Sequence, residues 1–385
     1  MRAGRPLKVL LLIHDVSMLG GMEVQLVYLA NGLARAGHSV TLASIRSAAG
    51  SFTHSEISLR PDVELLLMGA SSRSARIKCI NGLRKLALDA DIVHCTGWDT
   101  SLWGRLAAIS ARRRVIIADH AGSREHQVSA KGSPRARWIA LHNRLLDPFT
   151  SATVVCAARQ EEQLIREGVA REKVVLIPNG VPVDEMRARA HDGLTREALG
   201  IPPEAKVLAH VASFRPIKRQ ALALETVERL RREVGDVRIV FAGTGPELDS
   251  VRNLARRMGA EWATFLGPQR NVASVFGLAD LTVLPSSSEA MPMVIIESFA
   301  VGVPVVATDV GDVAGMLERA GAGIAVPVND HDALHDAIRL ALTDHGVSDR
   351  LKRAADAAKA EIDAETMVER YEDVFRAALA GRPVA

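Results

Sequence analysis

Cysteine is scarce in this chain, with only three among 385 residues, Cys79, Cys95 and Cys156. They show neither CxxC spacing nor Cys/His spacing of a zinc-ligand kind, so a disulfide framework and a zinc site are unsupported and buried thiols are expected. Aromatic residues make up only 4%. No helix-turn-helix, zinc-finger or mixed basic-and-aromatic signature accompanies the Lys and Arg, which argues against nucleic acid as a partner. No apolar run approaches the roughly 20 residues that cross a bilayer. The start, MRAGRPLKVLLLIHD, has too short an apolar core for a signal peptide, so a cytoplasmic location is expected. What remains, 48% hydrophobic and 24% charged, is the composition of a soluble globular chain. Its length suits two domains better than one core.

Net charge is a small +3, unevenly spread: residues 1–190 carry 26 Lys plus Arg against 17 Asp plus Glu, the remainder 22 against 28. Arg112, Arg113, Arg114, Arg124, Lys131, Arg135 and Arg137 supply most of a basic face that could meet anionic lipid headgroups or a phosphorylated acceptor. A solvated surface would account for the same run.

Along the chain, apolar runs alternate with helical patterns. Lys8 to His14 reads as a central strand, and a loop with Gly20 and Gly21 leads into a helix that stops at Gly37. Strands are expected again at Ser39 to Ser44, Ile92 to Cys95, Val115 to Ala118, Thr153 to Cys156 and Val174 to Ile177. A second series follows Gly200, at Val207 to Ala212, Arg238 to Ala242, Thr264 to Leu266, Leu281 to Leu284 and Val303 to Ala307. Such alternation predicts two doubly wound parallel sheets. The expected domains are residues 1–190 and 191–365, with 366–385 a helix crossing back to the first and Val183 to Leu199 the linker.

The most informative stretch is LTVLPSSSEAMPMVIIESFAVGVPVVATDVG, which sets Glu289 and Glu297 eight positions apart around a strand-to-helix junction. Pro292 has φ already suited to a first helical turn, and Gly302 and Pro304 end the short helix Met293 to Ala300. Glu289 therefore falls in the loop where open α/β sheets bind ligands, and Glu297 within the helix whose amino end faces that loop. A nucleotide diphosphate fits such a place. Gly243 and Gly245 suggest a nucleotide-side turn, although tight packing alone would explain them. Gly20 and Gly21 permit close approach to phosphates or acceptor, or simply a flexible loop. Neither glycine pair completes the GxGxxG of a dinucleotide fold, which disfavours a nicotinamide dehydrogenase.

Together with IADHAG, IPNGVPVDEM, SFRPIKR and FAGTGPEL, these segments closely resemble the retaining, GT-B-fold sugar transferases of glycosyltransferase family 4. The resemblance implies a nucleotide-sugar donor on the second domain, an acceptor on the first and a reaction in the cleft between them, with no further cofactor. It places Glu289 at the donor sugar, Glu297 at the ribose, backbone amides near Ala290, Met291 and Pro292 at sugar hydroxyls or phosphate, and His120 at the sugar from the first domain. Lys218 matches the family's diphosphate clamp. The family arginine five positions earlier is Ser213, and Arg215 is the displaced substitute. No carboxylate pair of the DxD kind is read as holding a metal-bound diphosphate, so metal independence is expected. Front-face transfer with retention is the expected mechanism, with double displacement through Glu289 left open. A non-catalytic nucleotide-sugar-binding subunit and a sugar-nucleotide epimerase of the same fold are the rival readings. The acceptor, a saccharide or lipid-linked intermediate, is expected at an anionic membrane surface.

Overall fold

A computed structural model describes residues 5–16, 20–50, 58–70, 72–119, 141, 143–289 and 291–384. Two parallel sheets organise them. The first contains β1 (Lys8–Ile13), β2 (Ser39–Ser44), β3 (Glu64–Leu67), β4 (Ile92–Thr96), β5 (Arg114–Asp119), β6 (Thr150–Val155) and β7 (Val174–Leu176). Its spatial order is β3-β2-β1-β4-β5-β6-β7. The second contains β8 (Lys206–Val211), β9 (Val237–Ala242), β10 (Ala263–Gly267), β11 (Leu281–Leu284), β12 (Val305–Thr308) and β13 (Gly323–Val326), in the order β10-β9-β8-β11-β12-β13.

Both orders reverse once, between β1 and β4 and between β8 and β11, where neighbouring strands send their following helices to opposite faces. The carboxyl ends of that strand pair are where a ligand can reach backbone without displacing packed side chains. The strands there are buried on both faces, which is why they read as unbroken apolar runs: β11 is buried at all four positions and β1 at five of six.

The chain divides into two compact units, residues 1–180 with 364–385, and residues 181–363. The division falls ten residues before the expected boundary. The expected linker is instead part of the second unit: Val183–Arg189 forms a helix whose Arg187 Nε donates to the Ala300 carbonyl at 2.8 Å. Its Arg, Ala and Asp content is that of a helix exposed on one face, which a search for strand pattern alone mistakes for linker. Both chain crossings lie side by side, since Val181 N donates to Ile362 O at 2.8 Å.

The terminal helix Ala364–Leu379 belongs to the first unit. Its Met367, Val368, Tyr371, Val374 and Phe375 join the core formed by β1, β2 and the helix Gly21–Arg35. Gly32 makes the approach possible: a Cβ there would stand 2.3 Å from Val368 Cγ2. A buried His38 accepts from Leu7 N through Nδ1 at 3.0 Å and meets Glu372 through Nε2, which ties the same helix to the β2 entrance. Cys95 and Cys156 are buried, whereas Cys79 is only half-buried, a correction to the expectation for all three. Burial pushes the Cys95 thiol up to about 12, so it remains protonated.

Candidate functional site

The site assembles at the reversal point of the second sheet, from the loops that leave β8 and β11. The β8 loop is fixed before it presents any charge. Phe214 is buried, its N–H donates to Thr244 O at 2.9 Å, and the Gln220 side chain donates to Ser213 O at 3.0 Å. The one-turn 3-10 helix Pro216–Lys218 follows. Its Ile217 carbonyl accepts from Ser287 N at 2.8 Å, which stitches the β8 loop to the β11 loop. The result brings Lys218 Nζ to 2.5 Å from Glu289 Oε1. The two side chains retain 18% and 10% of their surface, enough to meet a ligand and too little for water to screen them fully.

Gly243 and Gly245 serve this scaffold. Both have positive φ, and a Cβ would fall 2.1 Å from Ala212 O at the first and 2.4 Å from Phe214 O at the second. They let the β9 loop lie directly against the β8 loop, which accounts for them by packing.

Pro292 sits at the amino cap of the helix Met293–Ala300 with extended φ and ψ. All eight helix residues are buried, as are Met291 and Pro292. The first amides of a helix have no acceptor of their own, so this end offers N–H groups to an anion. Glu297 lies one and a half turns in. It is 8% exposed and has no hydrogen-bond or ion-pair partner among the described residues, and burial raises its pKa to about 7. A core acid without a partner is costly to keep, and its chemistry suits two donated hydroxyls, as from a ribose diol.

Arg215 stands at the cap of the one-turn helix Pro216–Lys218. It is exposed, and its side chain makes no hydrogen bond or ion pair among the described residues. Lys218, not Arg215, is the cation the fold aims at Glu289. Sequence reasoning missed three further groups here. Arg219 adopts left-handed φ of 52° and donates to Asn329 Oδ1 at 2.5 Å. Ser286 is fully buried, its hydroxyl without a partner among the described residues. His210, 1% exposed on β8, is held neutral, first by burial and then by the Lys218 charge, against a backbone contact with Lys218 that works the other way, its pKa pushed down to about 3. The adjacent basic pair Lys218-Arg219 was a visible signal; the other two depend on burial, which spacing does not reveal.

In the first unit, Gly20 and Gly21 lie beyond β1, at that sheet's reversal point, where Glu23 reaches back to accept from Gly20 N at 3.0 Å. His120 and Ala290 lie outside the described residues, as do Arg124, Lys131, Arg135 and Arg137. DxD spacing does occur twice, at Asp89/Asp91 and Asp330/Asp332, which the sequence reading passed over. The structure gives these acids other work. Asp91 takes Arg5 and the Lys8 amide, Asp89 takes Lys8 Nζ, Asp330 caps the helix His331–Thr343 and Asp332 pairs with Arg229. Among the described residues no group of three or more potential ligands could hold a metal ion.

The family model described as Glycosyltransferase Family 4 matches residues 19–185, and that described as Glycosyl transferases group 1 matches residues 193–359. The chain belongs to glycosyltransferase family 4. The chain is 28% identical over 182 residues to the N-acetyl-alpha-D-glucosaminyl L-malate synthase of Bacillus anthracis, a match covering 47% of this chain and about half, 48%, of that relative. It is 27% identical to the D-inositol 3-phosphate glycosyltransferase of Nocardia farcinica, over 87% of this chain and 79% of the relative. Its fold superposes on Anabaena Alr3699/HepE, solved in complex with UDP, with a TM-score of 0.78 at 19% identity, covering 96% of this chain and all of the other. Two Rossmann-like sheets of this order are the GT-B architecture expected from the sequence.

Proposed function

We propose that the transferase moves a sugar, with retention of anomeric configuration, from a nucleotide diphosphate sugar to an acceptor hydroxyl. One observation carries the reading: the Lys218–Glu289 pair stands at the sheet's reversal point, eight residues before a buried acid with no partner among the described residues. In this reading the amides at the start of Met293–Ala300 and the Lys218 ammonium hold the diphosphate, with Arg215 contributing from the exposed side. Gly243, Gly245, Met291 and Pro292 shape the donor's bed, and Ala290, Gly20 and Gly21 are donor-side residues by the sequence reading alone. The bond between the anomeric carbon and the phosphate oxygen breaks, its electron pair leaving with the diphosphate. Lys218 and the amides stabilise the growing negative charge, while Glu289 faces the electron-poor sugar, the task that the family resemblance also gives to His120. The acceptor hydroxyl enters on the face the diphosphate leaves and gives that phosphate its proton. A thermal-shift screen of nucleotide diphosphates and their sugars tests donor binding, since a ligand of the native state raises the melting temperature. No shift with any of them would reject the reading.

A non-catalytic binding subunit is the second reading, favoured by Ser213 at the family arginine position and by the exposed Arg215. Donor hydrolysis or transfer by the purified chain excludes it. Conversion of the donor without any acceptor would point to an epimerase instead. Diphosphate stabilisation by Lys218 and backbone amides needs no metal, so activity is expected to persist in excess chelator. Full loss that magnesium restores would overturn this.

The acceptor in this reading is a saccharide or lipid-linked hydroxyl presented at an anionic membrane surface on the cytoplasmic side. The basic half of the chain supports it, with Arg112, Arg113 and Arg114 all exposed. Among the described residues no helix is long and apolar enough to cross a membrane.

Glu297 gives a pH dependence of defined sign. Its folded pKa of about 7 lies above the ordinary 4.5. The native state thus keeps a proton that the unfolded chain has lost, and stability from this group declines as pH rises from 4.5 to 7. Ribose hydroxyls donate to the ionised form, so nucleotide-sugar affinity is expected to rise as pH passes through about 7. Titration calorimetry across that range should show the rise for the native chain and a flat response for Glu297→Gln. An unchanged pH slope in the variant would remove Glu297 from the ribose.

A further inference from the structure

Of the five large apolar side chains exposed among the described residues, four belong to one region of the first unit: Leu88, Leu141, Leu145 and Phe149. Three of them recur every fourth residue along a segment that is helical at 143–146 and ends in the 3-10 turn Asp147–Phe149 feeding β6. They are 55%, 62% and 57% exposed. Positions four apart share a helix face, while those two or six apart face the other way. Asn143 and Asp147 are the residues so turned, and both point at Arg105, which is completely buried. Arg105 Nη2 donates to Asn143 Oδ1 at 2.5 Å, Nη1 to Asp147 Oδ1 at 3.0 Å and Nε to Ser101 O at 2.7 Å. A surface helix ordinarily turns its apolar stripe to the core. This one is clamped with the stripe outwards, and a buried guanidinium is an expensive group to spend on a passive surface turn.

The surroundings are cationic. The register sets Val115 beside Thr150, so Arg114 enters the sheet next to Phe149, and Arg113 Nη2 donates to the Leu88 carbonyl at 2.6 Å. Arg112, Arg114 and Arg144 are exposed and make no ion pair among the described residues. The acids close by are largely spoken for, Asp147 by Arg105 and Asp89 by Lys8. A second copy of this chain would set these arginines against themselves across a two-fold axis. Anionic headgroups complement them, and apolar side chains beside the arginines can enter the acyl boundary.

We propose that the outward stripe Leu141, Leu145 and Phe149, with the arginines around it, docks the protein on an anionic lipid bilayer. The stripe lies at the amino ends of β5 and β6, away from the carboxyl ends where the sheet's ligand loops lie, so the proposal concerns anchoring to the membrane and does not depend on the chemistry at Glu289. Co-sedimentation of the full chain with vesicles tests it. At low salt the native protein is expected to bind vesicles containing about one-third phosphatidylglycerol and to leave pure phosphatidylcholine vesicles unbound. The exposed double substitution Leu145→Glu/Phe149→Glu should cut the bound fraction at least about tenfold. Leu340→Glu, on an exposed leucine of the other unit, should change nothing. The melting temperature and its shift with nucleotide diphosphate should stay native in both variants. Failure of the native chain to bind the anionic vesicles, or undiminished binding by the double variant, overturns the proposal. A native dimer that the double variant converts to monomer would also overturn it, by assigning the stripe to a second copy. Vesicle binding without any nucleotide shift would sink the transferase reading and leave this surface standing.

Discussion

Glu289→Gln is expected to lower kcat/KM for sugar transfer by about 10³-fold while leaving the fold and the nucleotide-induced melting shift intact. The substitution keeps the side chain's shape and an oxygen that can still accept from Lys218 Nζ, so the stitched β8 and β11 loops have no cause to move. Only the negative charge is lost. A unit charge about 4 Å from a developing oxocarbenium centre, at an effective dielectric of about 20, is worth roughly 4 kcal/mol. That figure corresponds to about three decades in rate. Because the sugar carries little charge before the bond stretches, the loss should appear in kcat more than in donor affinity. Turnover within about tenfold of native would remove Glu289 from the reacting centre.

The residues around Glu289 were legible because each local signal agreed with the fold. The apolar run of β11, Pro292 and Gly302 placed the strand and the helix Met293–Ala300 at the ends the structure shows. Two strands escaped notice for a physical reason. β3 and β13 are edge strands with only Val326 buried among their eight residues, so neither needs the continuous apolar run that marks a central parallel strand. The chain after β13 is several helices. Asp330 caps one by accepting from Ala333 N, and Asp344 ends it and caps the next by accepting from Val347 N. The outward placement of Arg215 was not legible, because spacing along a chain does not say which side chain a one-turn helix points outwards. The raised pKa of Glu297 and the inverted face of residues 141–149 could not be read at all. Both depend on which direction is inside, and that is settled by strand order.

Lys218→Met is expected to lower kcat by about 10²- to 10³-fold, the size found when one preorganised donor to a developing anion is removed. The ammonium does two jobs that a single substitution confounds. It neutralises Glu289, whose side chain is only 10% exposed, and it faces the bond that breaks. Removing one partner of a largely buried pair strands the other, at a cost of roughly 3–5 kcal/mol at full burial and less at this partial exposure. A lower melting temperature should therefore accompany the lost activity. The double variant Lys218→Met/Glu289→Gln separates the two. With no stranded charge its melting temperature should recover most of the loss, while activity stays at the floor set by either single change, because both residues act on one step. Arg215→Ala, on an exposed side chain with no partner among the described residues, should cost less than about tenfold. If the double variant regained stability and activity together, Lys218 would be a structural partner of Glu289, and the diphosphate's charge would have to be met by the helix amides and Arg219 instead.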